Sequence, residues 1–153
     1  MDPALSRARF LRDIEQITNN PDVFAKAGII IVKNDFPILV VSIPWHQQNG
    51  KIFLHIQADD YDYLPVEGWW VDENDKILSI GQGRMPQGNN LNPQSPPYGE
   101  NRSWFCYPGW RAYHFHPSHQ SPSWENFRGS QYNIPSIITQ LIQDLNKGAI
   151  QAV

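Results

Sequence analysis

Three short runs rich in β-branched residues follow one another with almost nothing between them, which restricts the chain to few architectures. Residues 28–32 (Gly-Ile-Ile-Ile-Val), 38–43 (Ile-Leu-Val-Val-Ser-Ile) and 52–56 (Ile-Phe-Leu-His-Ile) have strand length and strand composition. The first two flank the turn-like Lys33-Asn34-Asp35, and Asn49-Gly50 before the third is a strong hairpin signal. Parallel neighbours would need a long crossover. The three runs therefore predict an antiparallel meander, extended by Gly68-Trp69-Trp70-Val71 before the turn Glu73-Asn74-Asp75.

Helical periodicity brackets this sheet. Phe10, Leu11, Ile14 and Ile17 recur at three- and four-residue spacing, while Arg7, Arg9, Arg12, Asp13 and Glu15 lie elsewhere around the helix. Asn19-Asn20-Pro21 ends it, since a residue before proline avoids the helical region, and 22–26 allow one further turn. At the other end Asn133 is placed to cap a helix with Pro135 in its first turn. Ile137, Ile138, Leu141, Ile142 and Leu145 form its buried stripe, and Gly148 stops it. Between sheet and last helix, residues 81–102 are crowded with Gly, Pro, Asn and Gln and read as a long loop. The expectation is one α+β domain over residues 1–153: N-terminal helix, antiparallel meander sheet, long loop, C-terminal helix.

Several function classes are disfavoured at once. The formal net charge is −3, and no Lys/Arg run offers the phosphate-neutralising footprint that a nucleic acid needs. The longest apolar runs, 27–32 and 38–43, are too short to span a bilayer. One cysteine excludes an intramolecular disulfide and favours a reducing, cytoplasmic compartment, and Met1-Asp2-Pro3 lacks the basic-then-apolar layout of a signal peptide. No Gly-rich phosphate loop, Gly-x-Ser-x-Gly elbow or His-Glu-x-x-His helix occurs. Asp59, Asp60 and Asp62 lie in a tight acidic turn and read as a solvated face.

The chemistry-bearing stretch is 104–119, which holds Cys106 and three of the five histidines. If 111–116 is a strand, His114 and His116 project to one face, since side chains alternate with period two. Pro117 then breaks the strand, and the turn brings His119 to the same side, with Cys106 folding back across Pro108-Gly109. Imidazole nitrogen and thiolate sulfur are natural donors for Zn²⁺. In the bland alternative the histidines are hydrogen-bonded side chains and Cys106 is a small buried apolar group. His46 and His55 do not join the cluster by spacing, and His55, opposite Leu54 and Ile56, is expected to face solvent.

The segment from Lys51 through Tyr61-Asp62-Tyr63-Leu64-Pro65 resembles the part of ubiquitin-conjugating (UBC) enzymes where a strand ends in a Tyr-Pro-rich bend. Trp124, followed by the helix near 133–146, is similar to that family's tryptophan and crossing helix after the active site. The His-Pro-Asn tripeptide before the family's catalytic cysteine is absent, and His116-Pro117-Ser118 is a partial echo. The Cys/His-rich version looks like divergent bacterial members of the superfamily. The resemblance implies metal binding through a cysteine, a glutamate and two histidines. It also implies partners that are a ubiquitin-like protein and an activating-enzyme-like protein. Cys106, His114 and His116 match that set, with His119 as alternate and Glu100 or Glu125 as the glutamate.

Three functions follow as expectations. The first is a UBC-like component of a ubiquitin-like protein conjugation pathway, with zinc at Cys106, His114, His116 and His119. The second is a transferase with Cys106 as catalytic thioester acceptor, a nearby histidine lowering its pKa. The third is a non-enzymatic binding module presenting Trp69, Trp70, Trp110 and the 81–102 loop.

Overall fold

The computed structural model describes residues 2–94, 101–119, 123–129 and 131–153, the side chains of Gln48 and His119 excepted. Helix α1 covers Pro3–Thr18, started by Asp2, whose carboxylate accepts from the Ala4 amide at 2.8 Å. A short α2 (Pro21–Lys26) follows. Strands β1 (Ile30–Asp35), β2 (Ile38–Pro44), β3 (Lys51–Gln57) and β4 (Glu67–Val71) then form one antiparallel sheet in the order β1-β2-β3-β4. The mixed α and β content and the meander stand as expected.

One turn moves. Lys33, Asn34 and Asp35 belong to β1, with Val32 as a bulge, and the chain reverses at Phe36-Pro37 instead. Asn49-Gly50 does close the β2–β3 connection, both residues with positive φ.

Alternation sets the sheet's inner face. Leu39, Val41 and Ile43 of β2 stand opposite Ile56, Leu54 and Ile52 of β3, and all six are buried in one core cluster with Trp70. Phe10, Ile14 and Ile17 of α1 join that cluster, as do Ile137, Ile138, Leu141 and Leu145 of α4 (Ile134–Leu145). Helix α4 begins as its sequence predicts: Asn133 Oδ1 accepts from the Ser136 amide at 3.0 Å, with Pro135 in the first turn. Past its end, the Asn146 side chain donates to the Pro44 carbonyl at 2.8 Å, fastening helix to sheet.

The 81–102 stretch is not featureless. Strands β5 (Pro86–Gln87) and β6 (Leu91–Asn92) lie within it. β6 pairs with β7 (Trp104–Phe105), and β5 pairs with β8 (Gln151–Ala152) after α4. A further correction concerns the tryptophans. Trp70 and Trp110 are 0% and 2% exposed, so they build core and present no partner surface; Trp69 is half-buried. Gly68 makes room for this: a Cβ there would lie 2.3 Å from the Trp110 ring.

The acidic turn is corrected too. Asp62 is buried and pairs with Arg9 at 2.6 Å and Arg12 at 3.7 Å. Beside it Asp13, 1% exposed, accepts from the Tyr61 hydroxyl at 2.5 Å and from the Ile134 amide at 3.0 Å. One carboxylate thus joins α1, the 58–66 bend and the start of α4. Burial, and then the Asp13 charge, push the Tyr61 phenol far above its ordinary range.

Removing this carboxylate strands two buried donors. Asp13→Ala is predicted to lower stability by about 2–5 kcal/mol, and Tyr61→Phe by about 1–3 kcal/mol. Urea denaturation measures both, and a loss within experimental error for either variant contradicts the role assigned here.

Candidate functional site

Cys106 follows β7 directly and inherits its position from that ladder. Its amide donates to the Asn90 carbonyl at 2.9 Å, and the flanking Phe105 and Tyr107 side chains are buried. Cys106 itself is half-buried, and that partial burial raises its thiol pKa. Desolvation disfavours the thiolate, the opposite direction to the lowering that a nearby histidine would bring. Burial likewise raises the Tyr107 phenol, with the Asp144 carboxylate adding to the effect.

After Cys106 the chain turns through Pro108-Gly109. Gly109 has φ +103°, and a Cβ there would lie 2.6 Å from Ile137 Cγ2, so only glycine fits without displacement. Residues 111–116 are not a strand. Arg111–Phe115 form a helical turn, α3, so His114 and His116 do not share a face through strand alternation. The run is too short for periodicity to separate strand from helix, and its aromatic content favoured the wrong one.

Each histidine has a particular task. The Gly109 amide donates to His114 Nε2 at 3.0 Å, which fixes the turn beside Cys106. The His114 ring sits among Tyr113, Trp124 and Phe127, each with its centroid 5.1 Å away. His116 stacks on Trp104 (centroids 6.2 Å apart), and its Nδ1 accepts from the Ser118 amide at 3.1 Å. One lone pair on each ring is thus already given to a backbone N–H. The backbone of His119 ends a 3-10 turn, Pro117–His119, while its side chain lies outside the described residues, as does Glu100. Glu125 is exposed in a further 3-10 turn, Trp124–Asn126.

Among the described residues, no three His, Cys, Asp or Glu side chains are grouped as a metal ion requires. A zinc ion held by His114 Nε2 or His116 Nδ1 would first have to break an existing backbone hydrogen bond. These bonds engage one nitrogen of each ring, and the His119 side chain of the expected ligand set lies outside the described residues.

The turn is clamped to the sheet by charges that spacing did not reveal. The Arg111 amide donates to the Val66 carbonyl at 2.8 Å. Its guanidinium reaches the Pro65 carbonyl at 3.1 Å, the Asp59 carbonyl at 3.1 Å and Glu67 Oε1 at 2.7 Å. Arg102 binds the other oxygen of Glu67 and lies 4.2 Å from the Trp69 ring. Trp69 in turn stacks on His55, which is buried and corrects the solvent-facing expectation. The only sequence hint was register: once β3 and β4 pair, His55 stands opposite Trp69. Trp124, singled out in sequence, is buried, and its Nε1 donates to the Asp62 carbonyl at 2.8 Å.

No family model matches the chain. It is similar to "Uncharacterized protein y4jH" of Sinorhizobium fredii (strain NBRC 101917 / NGR234), at 24% identity over 156 aligned residues. The match spans 85% of this chain and 76% of that protein. No helix is long and apolar enough to cross a membrane among the described residues.

Two outcomes follow. A resident zinc site would stabilise the fold by about 2.7 kcal/mol at a hundredfold excess over its Kd. A zinc-dependent rise in melting temperature that His114→Ala and His116→Ala each remove is the outcome expected of the ligand set, and no rise with zinc supplied contradicts it. Alkylation of Cys106 by iodoacetamide should be slower than that of free cysteine at neutral pH. Its rate should keep climbing with pH beyond the range where free cysteine levels off, because the thiolate reacts and its formation is shifted upward. A rate that levels off earlier than free cysteine contradicts that shift.

Proposed function

We propose that the chain is a UBC-like component of a ubiquitin-like protein conjugation pathway, with Cys106 as the residue that accepts the ubiquitin-like protein. The observation that carries this reading is the tie between the bend after β3 and the segment after Cys106. Trp124 Nε1 donates to the Asp62 carbonyl, while Arg111 grips the Asp59 and Pro65 carbonyls of the same bend. The two stretches that resemble the family in sequence are thereby bound to each other. The order of helix, four-stranded meander and closing helix supports the same reading. The binding-module reading is weaker, because Trp70 and Trp110 are core.

In the proposed step, Cys106 Sγ attacks the carbonyl carbon of a thioester that links the ubiquitin-like protein to an activating-enzyme-like partner. A new C–S bond forms as the partner's C–S bond breaks, and the Cys106 proton ends on the released partner thiol. Nothing is oxidised or reduced. The thiol is held protonated by burial, so its proton leaves as the bond forms. The residues around it act by position: Asn90 and β7 hold the Cys106 backbone, and His114 holds the following turn.

The test is to purify the tagged chain from its own cells under denaturing, non-reducing conditions. The expected result is a fraction joined to a second protein that thiol reductant releases. Cys106→Ser should convert that adduct into a reductant-stable, alkali-labile ester. Absence of any adduct from the wild type, or the same adduct on Cys106→Ala, contradicts the proposal.

A further inference from the structure

On the face of the sheet turned away from α1 and α4, a histidine is surrounded by acceptors. His55 Nδ1 lies 2.7 Å from Asp75 Oδ1, and its Nε2 lies 2.9 Å from Gln57 Oε1. The side chain is 7% exposed, so water has little access to either nitrogen. Asp75 offers a carboxylate, which only accepts. Gln57 would be ambiguous alone, because its amide can be turned either way. Its other end decides the matter: Gln57 Nε2 donates to Asp59 Oδ2 at 2.7 Å, so Oε1 must be the atom facing His55. Both partners of the ring are acceptors, and a neutral imidazole has a single N–H to offer. The remaining nitrogen would set its lone pair against an oxygen lone pair inside a buried site.

We infer that His55 is held as the imidazolium ion, donating to Asp75 and Gln57 at once, so that a bound proton latches the turn after β4 to the sheet. That turn runs from Asp72 to Lys76: the Asp72 amide donates to the Lys76 carbonyl at 2.8 Å, and Asp72 Oδ1 accepts from the Asn74 and Lys76 amides. Asp75 is its tip and reaches back to β3 only through His55 among the described side-chain contacts. The surroundings suit a cation. Asp75 faces it from the turn and Asp59 through Gln57 from the bend. Trp69 of β4 stacks on the ring at 4.3 Å, a contact that a cation strengthens. Arg102 meets the same indole and is paired with Glu67, whose other oxygen takes Arg111. From β2 the cross-strand neighbour is apolar Val40, with Lys33 of β1 one strand further out.

The sign of the linkage is fixed by which state holds the proton. A proton held through two acceptors stabilises the folded state for as long as it is bound, so the latch is present at low pH and is lost when rising pH removes the proton. The inference does not depend on what Cys106 carries.

Two-bond ¹H–¹⁵N spectra of the histidine rings in the full chain at about pH 7.5 test it directly, a pH at which an ordinary histidine is mostly neutral. The expected pattern for His55 is two N–H nitrogens; one unprotonated nitrogen overturns the inference. Asp75→Asn supplies the second measurement, since asparagine tolerates the positive φ of 62° at that position. Its His55 ring should lose one proton, and its melting-temperature deficit against wild type should shrink from about pH 6 to about pH 9. A deficit that stays constant across that range overturns the latch.

Discussion

The fold depends on a carboxylate placed where no carboxylate can stand alone. Asp13 sits inside the core, and moving a charged group there is tolerable only if donors surround it. Two of them come from far along the chain: the Tyr61 hydroxyl, 48 residues away, and the Ile134 amide, 121 residues away. Helix α1, the bend after β3 and the start of α4 must therefore arrive together. The same bend then hands its own carbonyls to the functional region, Asp62 to Trp124 and Pro65 and Asp59 to Arg111. The segment that follows Cys106 is thus tied, through backbone groups of the bend, to the same region that the buried charge anchors.

Around Cys106 the polar side chains work as struts. His114 receives the Gly109 amide, His116 receives the Ser118 amide, and Arg111 spends its guanidinium on two carbonyls and Glu67. Residues that look like ligands or bases in sequence are, in this geometry, partners for backbone groups that a tight, buried turn would otherwise leave unsatisfied. The thiol sits on that frame, half-buried, with burial raising its pKa.

Local rules were legible where the backbone dominates. The α1 stripe, the Asn133 cap with Pro135, the Asn49-Gly50 turn and the order of the sheet all follow from periodicity and φ preferences. What failed required knowledge of neighbours. Residues 111–115 are helical because Arg111 N is tied to Val66 and the turn is packed on Ile137, neither of which a five-residue aromatic run announces. His55 was correctly set on the sheet's outer face, yet Trp69 and Asp75 cover it. Asp62 reads as a solvated acid until two arginines of α1 are brought against it. At the candidate site, the sequence singles out the stretch that carries Cys106 and the histidines, whereas the hydrogen-bond partners of the histidines could not be read from it, because a ring nitrogen's use is decided by whatever N–H happens to face it.

The two small ladders in the crossing segment bear on how such chains can vary in length. β5 is held by β8 and β6 by β7, so the span between β4 and Cys106 is divided into short closures with fixed ends. Gly81 and Gly83 lie outside both ladders, exposed, with positive φ and nothing within 4 Å of a Cβ. Lengthening a closed loop is cheap, about 0.6 kcal/mol for each doubling. An insertion at Gly81 would therefore leave the β5–β8 and β6–β7 pairings in place, so the span can lengthen there at small cost.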